Sequence, residues 1–205
     1  AVERVLLPRL LRRVRPDVYH GTKHSVPPGA PCPTVSTIHD LAFFALPRTF
    51  PRASGAWLRA EARAAARRAT RILAPSQSTR RDLERFLGVD PTRVAVVPNG
   101  VAPAFLRPVP REEAEKVRAR LRLPERFVLC LGTIQPRKNP LVLLNAFARL
   151  RKSGAAEGVG LVFAGREGWM AGAFRSAIRR EGPALDARWI GEVPDADVPG
   201  LLRAA

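Results

Sequence analysis

The chain has 205 residues, enough for one α/β domain or two small lobes, and its 46% hydrophobic content is ordinary for a globular protein. No apolar run approaches the roughly 18 residues of a membrane-spanning helix, and two cysteines, Cys32 and Cys130, are too few for a disulfide framework. The net charge of +17 admits nucleic-acid binding, adhesion to an anionic membrane surface, or compositional bias.

Compositional bias accounts for most of that charge. Four of the 35 basic residues are lysines (Lys23, Lys116, Lys138 and Lys152), the rest are arginines, and Ala and Pro are enriched alongside Arg. The arginines are spread over many predicted helices, with no basic tail. Nucleic acid is therefore not the expected partner, whereas a peripheral contact with an anionic membrane stays open. No Cys–His spacing points to a metal site. With no visible secretory signal, a reducing, cytoplasmic setting is expected, with the inner membrane face as the surface in reach.

In chain order, Glu3 to Arg15 reads as a short amphipathic helix with Val5, Leu6, Leu10, Leu11 and Val14 apolar. A short strand over Asp17–His20 leads into a Gly/Pro-rich loop. Thr34–Ile38 is β-branched and reads as a strand ending at His39-Asp40. Leu41–Phe50, apolar and aromatic with Pro47 inside it and Pro51 just after it, reads as a loop lining something. Ala56–Thr70 has strong helix propensity. A strand over Arg71–Ala74 precedes a helix whose start resembles a capping box at Thr79–Asp82 and whose stop is Gly88. Val94–Val97 is the next strand, and the Pro-punctuated segment after it is the predicted boundary between lobes. Then come a helix over Glu112–Leu121, strands over Leu161–Ala164 and Ala187–Ile190, and helices over Gly172–Arg180 and Ala196–Ala204. Strand–helix alternation argues for parallel sheets with covered faces. The second sheet stops at three strands and the first lacks a Gly-rich first turn. The chain also begins at Ala1, so it reads as an excerpt trimmed at both ends.

The densest signal lies at Phe127–Leu150. A strand that reads as buried, Phe127–Leu131, turns at Gly132-Thr133 and passes Gln135-Pro136-Arg137-Lys138. It enters a helix at Asn139-Pro140, with Asn139 as the expected N-cap and Pro140 at the first helical position. Leu141, Leu143, Leu144, Phe147 and Leu150 form the helix's expected apolar side. Two cations outside the positive end of a helix suit an anion such as phosphate. By itself, in so Arg-rich a chain, the segment is better read as a solvated βα loop that happens to carry Arg and Lys.

Several segments in order resemble one family. They are Thr37–Leu41, Ala74–Ser78 with Asp82-Leu83, Val96–Val101, Leu131–Asn139, Phe163–Gly165 with Gly168-Trp169, and Ile190–Asp195. Together they resemble the retaining glycosyltransferases of family 4, especially the mannosyltransferase-like members. The resemblance implies a GT-B α/β fold of two Rossmann-like lobes facing a cleft, both incomplete here. Residues 1–101 would be the later part of the acceptor lobe, 102–110 the connection, and 111–205 the first part of the nucleotide-sugar donor lobe. It further implies transfer from a nucleotide-diphosphate sugar, with a mannosyl donor as the guess, to a glycan or lipid-linked hydroxyl. Neither a cofactor nor a metal is expected. Lys138 matches the lysine that holds the donor pyrophosphate, with Gly132, Thr133 and Arg137 beside it; Thr133 stands where many members have Arg. Glu192 and Val193 match the segment whose backbone lies against the base. His39 matches a histidine near the reacting centre, Asp40 orients it or caps a turn, and Gly100 faces the cleft. The family's C-terminal pair of glutamates lies outside the sequence, so transfer by this stretch alone is not expected. A catalytically silent binding module and an Arg-rich nucleic-acid binder are the alternatives.

Overall fold

The computed structural model describes residues 5–205, so the expected helix start at Glu3 lies outside the described residues. The chain forms two compact units, Ala1–Gly100 and Val101–Ala205. Each is an α/β unit built on a wholly parallel sheet, as strand–helix alternation requires.

In the first unit the strands are β1 (Tyr19–Gly21), β2 (Thr34–Thr37), β3 (Arg71–Ala74) and β4 (Val94–Val96), side by side in chain order. The helices are α1 (Leu7–Val14), α2 (Ala42–Ala45), α3 (Arg52–Arg68) and α4 (Gln77–Leu87). The α3 helix turns Gly55, Ala62, Ala65 and Ala66 inward, and these small side chains let it lie close to the sheet. Its core neighbours include Ile38, Ile72, Ala74 and Leu83.

Leu41–Phe50 is not the lining loop expected from its prolines. Leu41, Phe43 and Phe50 are buried in that same core, and the backbone forms α2 and a 3-10 turn over Pro47–Thr49. The segment's apolar content is core material, and the prolines only set its turns. The capping box is also displaced. Ser76 is the N-cap of α4, its Oγ accepting from the Thr79 amide at 3.1 Å, and Thr79 lies inside the first turn. Gly88 ends the helix at φ 61°, as expected.

Many arginines of this unit donate to main-chain carbonyls rather than to carboxylates. Arg59 reaches the Phe43 carbonyl at 3.1 Å, Arg68 that of Val26 at 3.1 Å, and Arg71 that of Thr92 at 2.6 Å. Arg93 binds the carbonyls of Ala66 and Ala69 at the C-terminal end of α3. That placement satisfies orphan acceptors and suits the negative end of the helix dipole.

The second unit contains β5 (Phe127–Leu131), β6 (Gly160–Ala164) and β7 (Ala187–Trp189), again adjacent in chain order. Its helices are α5 (Arg111–Arg120), α6 (Pro140–Lys152), α7 (Gly172–Leu185) and α8 (Val198–Ala204). Side chains of β6 alternate between two cores. Leu161 and Phe163 join the core built with α6 and α7, and Val162 and Ala164 join the one built with α5 and α8. The fully buried strand is thus β6. Within these 205 residues β5 pairs with β6 alone, and Phe127 is buried while Val128 and Leu131 are each 43% exposed, so the strand is less buried here than its composition suggests. The apolar side of α6 is narrower than read, since Leu144 and Phe147 are buried while Leu150 is 49% exposed. The α7 helix runs on through Pro183 and stops at Asp186, which takes a left-handed backbone.

The Ser76 cap gives a direct test. Ser76→Ala removes the acceptor for the α4 first turn and should cost about 1 kcal/mol of stability in urea unfolding. An unchanged midpoint and slope would show that the cap contributes nothing.

Candidate functional site

In parallel α/β sheets ligands bind at the carboxyl ends of the strands, and the sequence-predicted residues gather there in each unit. In the second unit the three strands each run into a glycine. Gly132 follows β5 at φ 144°, Gly165 follows β6 at φ 140°, and Gly191 lies just past β7 at φ 78°. These backbones continue the sheet's ladder beyond the strands. The Gly132 N–H donates to the Ala164 carbonyl at 2.8 Å, and the Gly165 N–H to the Gly191 carbonyl at 2.6 Å. A Cβ on Gly165 would lie 2.1 Å from the Gly132 carbonyl oxygen, so no other residue fits at that position without displacing backbone.

The loops beyond the row are tied to one another. The Ile134 N–H donates to the Arg166 carbonyl at 3.0 Å, and the Gly168 N–H returns to the Ile134 carbonyl at 2.9 Å. A Cβ on Gly168 would meet Thr133 Cγ2 at 2.7 Å. Thr133 is therefore packed against this second loop, half-buried, rather than standing free.

Pro136–Lys138 forms a 3-10 turn, closed by the Lys138 N–H on the Gln135 carbonyl at 3.0 Å. Asn139 is not the side-chain cap expected of it. It sits at φ 51°, a left-handed turn that Asn tolerates, and its side chain accepts nothing from the first turn of α6. The helix start is shaped by backbone, and Pro140 occupies the first position as predicted. Lys138 is exposed and Arg137 half-buried. The Lys138 charge reaches Cys130 near the end of β5. Burial pushes the Cys130 thiol above its ordinary pKa, and Lys138 opposes that push.

Gln135 has a buried side chain, 4% exposed, beside a cavity of about 290 Å³ lined also by Pro140, Ala171 and Phe174. Glu192 is exposed. Val193 is buried in the core with Val162 and Leu201.

In the first unit, all three histidines of the chain lie around the ends of β1 and β2. His20 Nε2 and Thr37 Oγ1 are 2.9 Å apart. His39 is exposed, and its Nε2–H donates to the Thr22 carbonyl at 3.0 Å, which leaves Nδ1 as the acceptor nitrogen of the neutral ring. The His39 carbonyl accepts from Thr79 Oγ1 at 3.1 Å, tying the end of β2 to the first turn of α4. Asp40 Oδ1 accepts from the Ala42 amide at 3.0 Å, the turn-capping role weighed for it. Gly100 is exposed, and a Cβ there would meet nothing within 4 Å.

His24 lies half-buried with its ring 5.7 Å from that of Phe43. Burial lowers its pKa from 6.5, outweighing the carboxylates of Asp40 and Glu61 that raise it. Trp189 carried no sequence signal beyond its indole N–H, which must find an acceptor when it packs inside. It donates to the Gly165 carbonyl at 2.8 Å. Among the described residues no cluster of His, Cys, Asp and Glu could hold a metal ion, and no helix is long and apolar enough to cross a membrane.

Two parallel α/β units with glycine turns at the strand ends are the fold of the GT-B glycosyltransferases. The chain superposes on Anabaena HepE, solved in complex with UDP-glucose, with a TM-score of 0.70 at 19% identity, covering 98% of this chain and 54% of that one. The Glycosyltransferase Family 4 profile matches residues 3–105, and the chain belongs to that family. It is 27% identical to the O-antigen chain mannosyltransferase B of Escherichia coli over 209 residues, covering 98% of this chain and 54% of that protein. It is 38% identical over 82 residues to the D-inositol 3-phosphate glycosyltransferase of Kineococcus radiotolerans, covering 40% of this chain and 19% of that protein. The chain thus spans about half the length of the mannosyltransferase.

Two outcomes test this geometry. Gly165→Ala should cost about 3 kcal/mol or more, since it combines a disfavoured φ with a clash against backbone; a near-native melting temperature would contradict the close approach. For His24, the unfolded chain binds a proton below pH 6.5 while the folded ring stays neutral. The stability contributed by the neutral ring is therefore present above 6.5 and lost as pH falls through the lower folded value. His24→Leu should flatten stability against pH between about 7 and 5 relative to the parent, and an unchanged slope would count against the burial effect.

Proposed function

We propose that the protein containing this chain is a retaining glycosyltransferase. It moves a sugar, with mannose as the first choice, from a nucleoside-diphosphate donor to a hydroxyl of a glycan or lipid-linked acceptor. Residues 111–205 serve the donor, residues 1–101 the acceptor, and 102–110 connect them. The observation that carries the reading is the row Gly132, Gly165 and Gly191 at the strand ends, followed at once by the Arg137-Lys138 turn. Glycines let a ligand approach main chain closely, and the lysine charge lies where an anion would be held. The Escherichia coli relative, a mannosyltransferase, and the UDP-glucose bound in the Anabaena structure support the same substrate class.

In this reading the negative charge that grows on the departing diphosphate is stabilised by Lys138, with Arg137 beside it. Thr133 supplies a hydroxyl where a second cation is common. The Gly191–Val193 main chain lies against the base, with Glu192 exposed next to it. His39, its ring held by the Thr22 carbonyl, positions the reacting groups, and Asp40 fixes the turn that presents it. Neither metal nor cofactor enters the scheme. The enzyme works in the cytoplasm, its basic surface in contact with the anionic inner face of the membrane. Catalysis belongs to the full-length protein rather than to these 205 residues alone.

Calorimetric titration of UDP and GDP into the full-length protein and its Lys138→Ala variant tests the donor site. The variant should bind the preferred nucleotide about 10- to 100-fold more weakly, the worth of a charge-assisted contact. Equal affinity would overturn the role of Lys138.

A further inference from the structure

The glycine row has a weakness that its own chemistry creates. Gly165 must be glycine, yet glycine holds no conformation by itself. Its φ of 140° lies where L side chains rarely go, and its neighbours are loops. Something must fix the peptide that follows it.

Trp189 is placed to do so. It is the last residue of β7, and its Nε1–H donates to the Gly165 carbonyl at 2.8 Å. The Gly165 amide on the other side donates to the Gly191 carbonyl, two residues beyond Trp189. Both polar groups of Gly165 are thus held by the end of β7. The indole is itself held by packing. Its ring lies 6.1 Å from that of Phe174 on α7, at 68°, and Phe174 lies 4.7 Å from Phe163 of β6, at 67°. Phe163 is fully buried and sits two residues before Gly165. The chain of contacts therefore closes on itself through β6, α7 and β7.

We propose that Trp189 is a positioning residue for the donor site. Its indole N–H fixes the Gly165 peptide, and so keeps the row flat against the Gly132 carbonyl in the form that accepts the diphosphate donor. The inference rests on the donor reading given above. Its distinguishing feature is that the hydrogen bond and the packing can be separated. Phenylalanine at position 189 keeps an aromatic ring against Phe174 and loses only the donor.

The test uses the full-length protein and Trp189→Phe. Calorimetry with UDP and GDP should show about tenfold weaker nucleotide binding in the variant, the worth of one lost hydrogen bond to a positioned group. The melting temperature should stay close to the parent's. In the transfer assay, KM for the nucleotide sugar should rise by a similar factor with kcat little changed. Equal nucleotide affinity with retained fold would overturn the role of Trp189 and leave the donor site standing. No nucleotide binding by the parent protein would overturn the donor reading itself, and this inference with it. Should the variant not fold, the parent background with Trp57→Phe and Trp169→Phe isolates Trp189 as a probe within this chain. Residue 189 should then change its fluorescence in step with calorimetric binding. Binding without any such change would overturn the coupling.

Discussion

The contact on which the second unit depends is between two pieces of main chain. The Gly132 carbonyl oxygen occupies the place a Cβ on Gly165 would need, 2.1 Å from it. Removing one atom group from position 165 lets two strand ends close on each other, so that the turns after β5, β6 and β7 emerge side by side. The Pro136–Lys138 turn hangs from this arrangement, as does the paired loop carrying Arg166 and Gly168.

The rest of the unit keeps that row still. β6 is buried along its whole length and divides its side chains between two cores, so each face of the sheet is sealed by its own helix pair. On one face, a Cβ on Gly200 would meet Val117 at 2.7 Å, so α8 lies close against α5. On the other, Phe163, Phe174 and Trp189 form a run of edge-to-face rings from β6 through α7 to β7. In the first unit, the buried alanines of α3 and the cap at Ser76 do comparable work, holding the end of β2 and its His39-Asp40 pair against α4.

Much of this was legible in the residues. Strand–helix alternation gave parallel sheets, and the ordered motifs gave the family. The failures have physical causes. Asn139 has cap chemistry, but it closes the preceding 3-10 turn with a left-handed backbone and its side chain makes no cap hydrogen bond. Leu41–Phe50 carries loop-like prolines, yet its spacing of large apolar residues serves a core that only the folded sheet reveals. Trp189 escaped notice because its partner is a carbonyl 24 residues away, and a carbonyl leaves no mark in a sequence.

The arginines that bind carbonyls have a consequence for the molecule as a polyelectrolyte. An oxygen dipole takes up hydrogen bonds without cancelling a charge, so Arg59, Arg68, Arg71 and Arg93 order their loops while each still contributes a full unit to the +17 total. Local order and long-range self-repulsion thus come from the same side chains. Neutralising them to make the protein less basic would unstitch the connections between α3, the sheet and its loops. Exchange for lysine would keep the charge and forfeit the flat guanidinium that sets Nη2 of Arg93 between the Ala66 and Ala69 carbonyls.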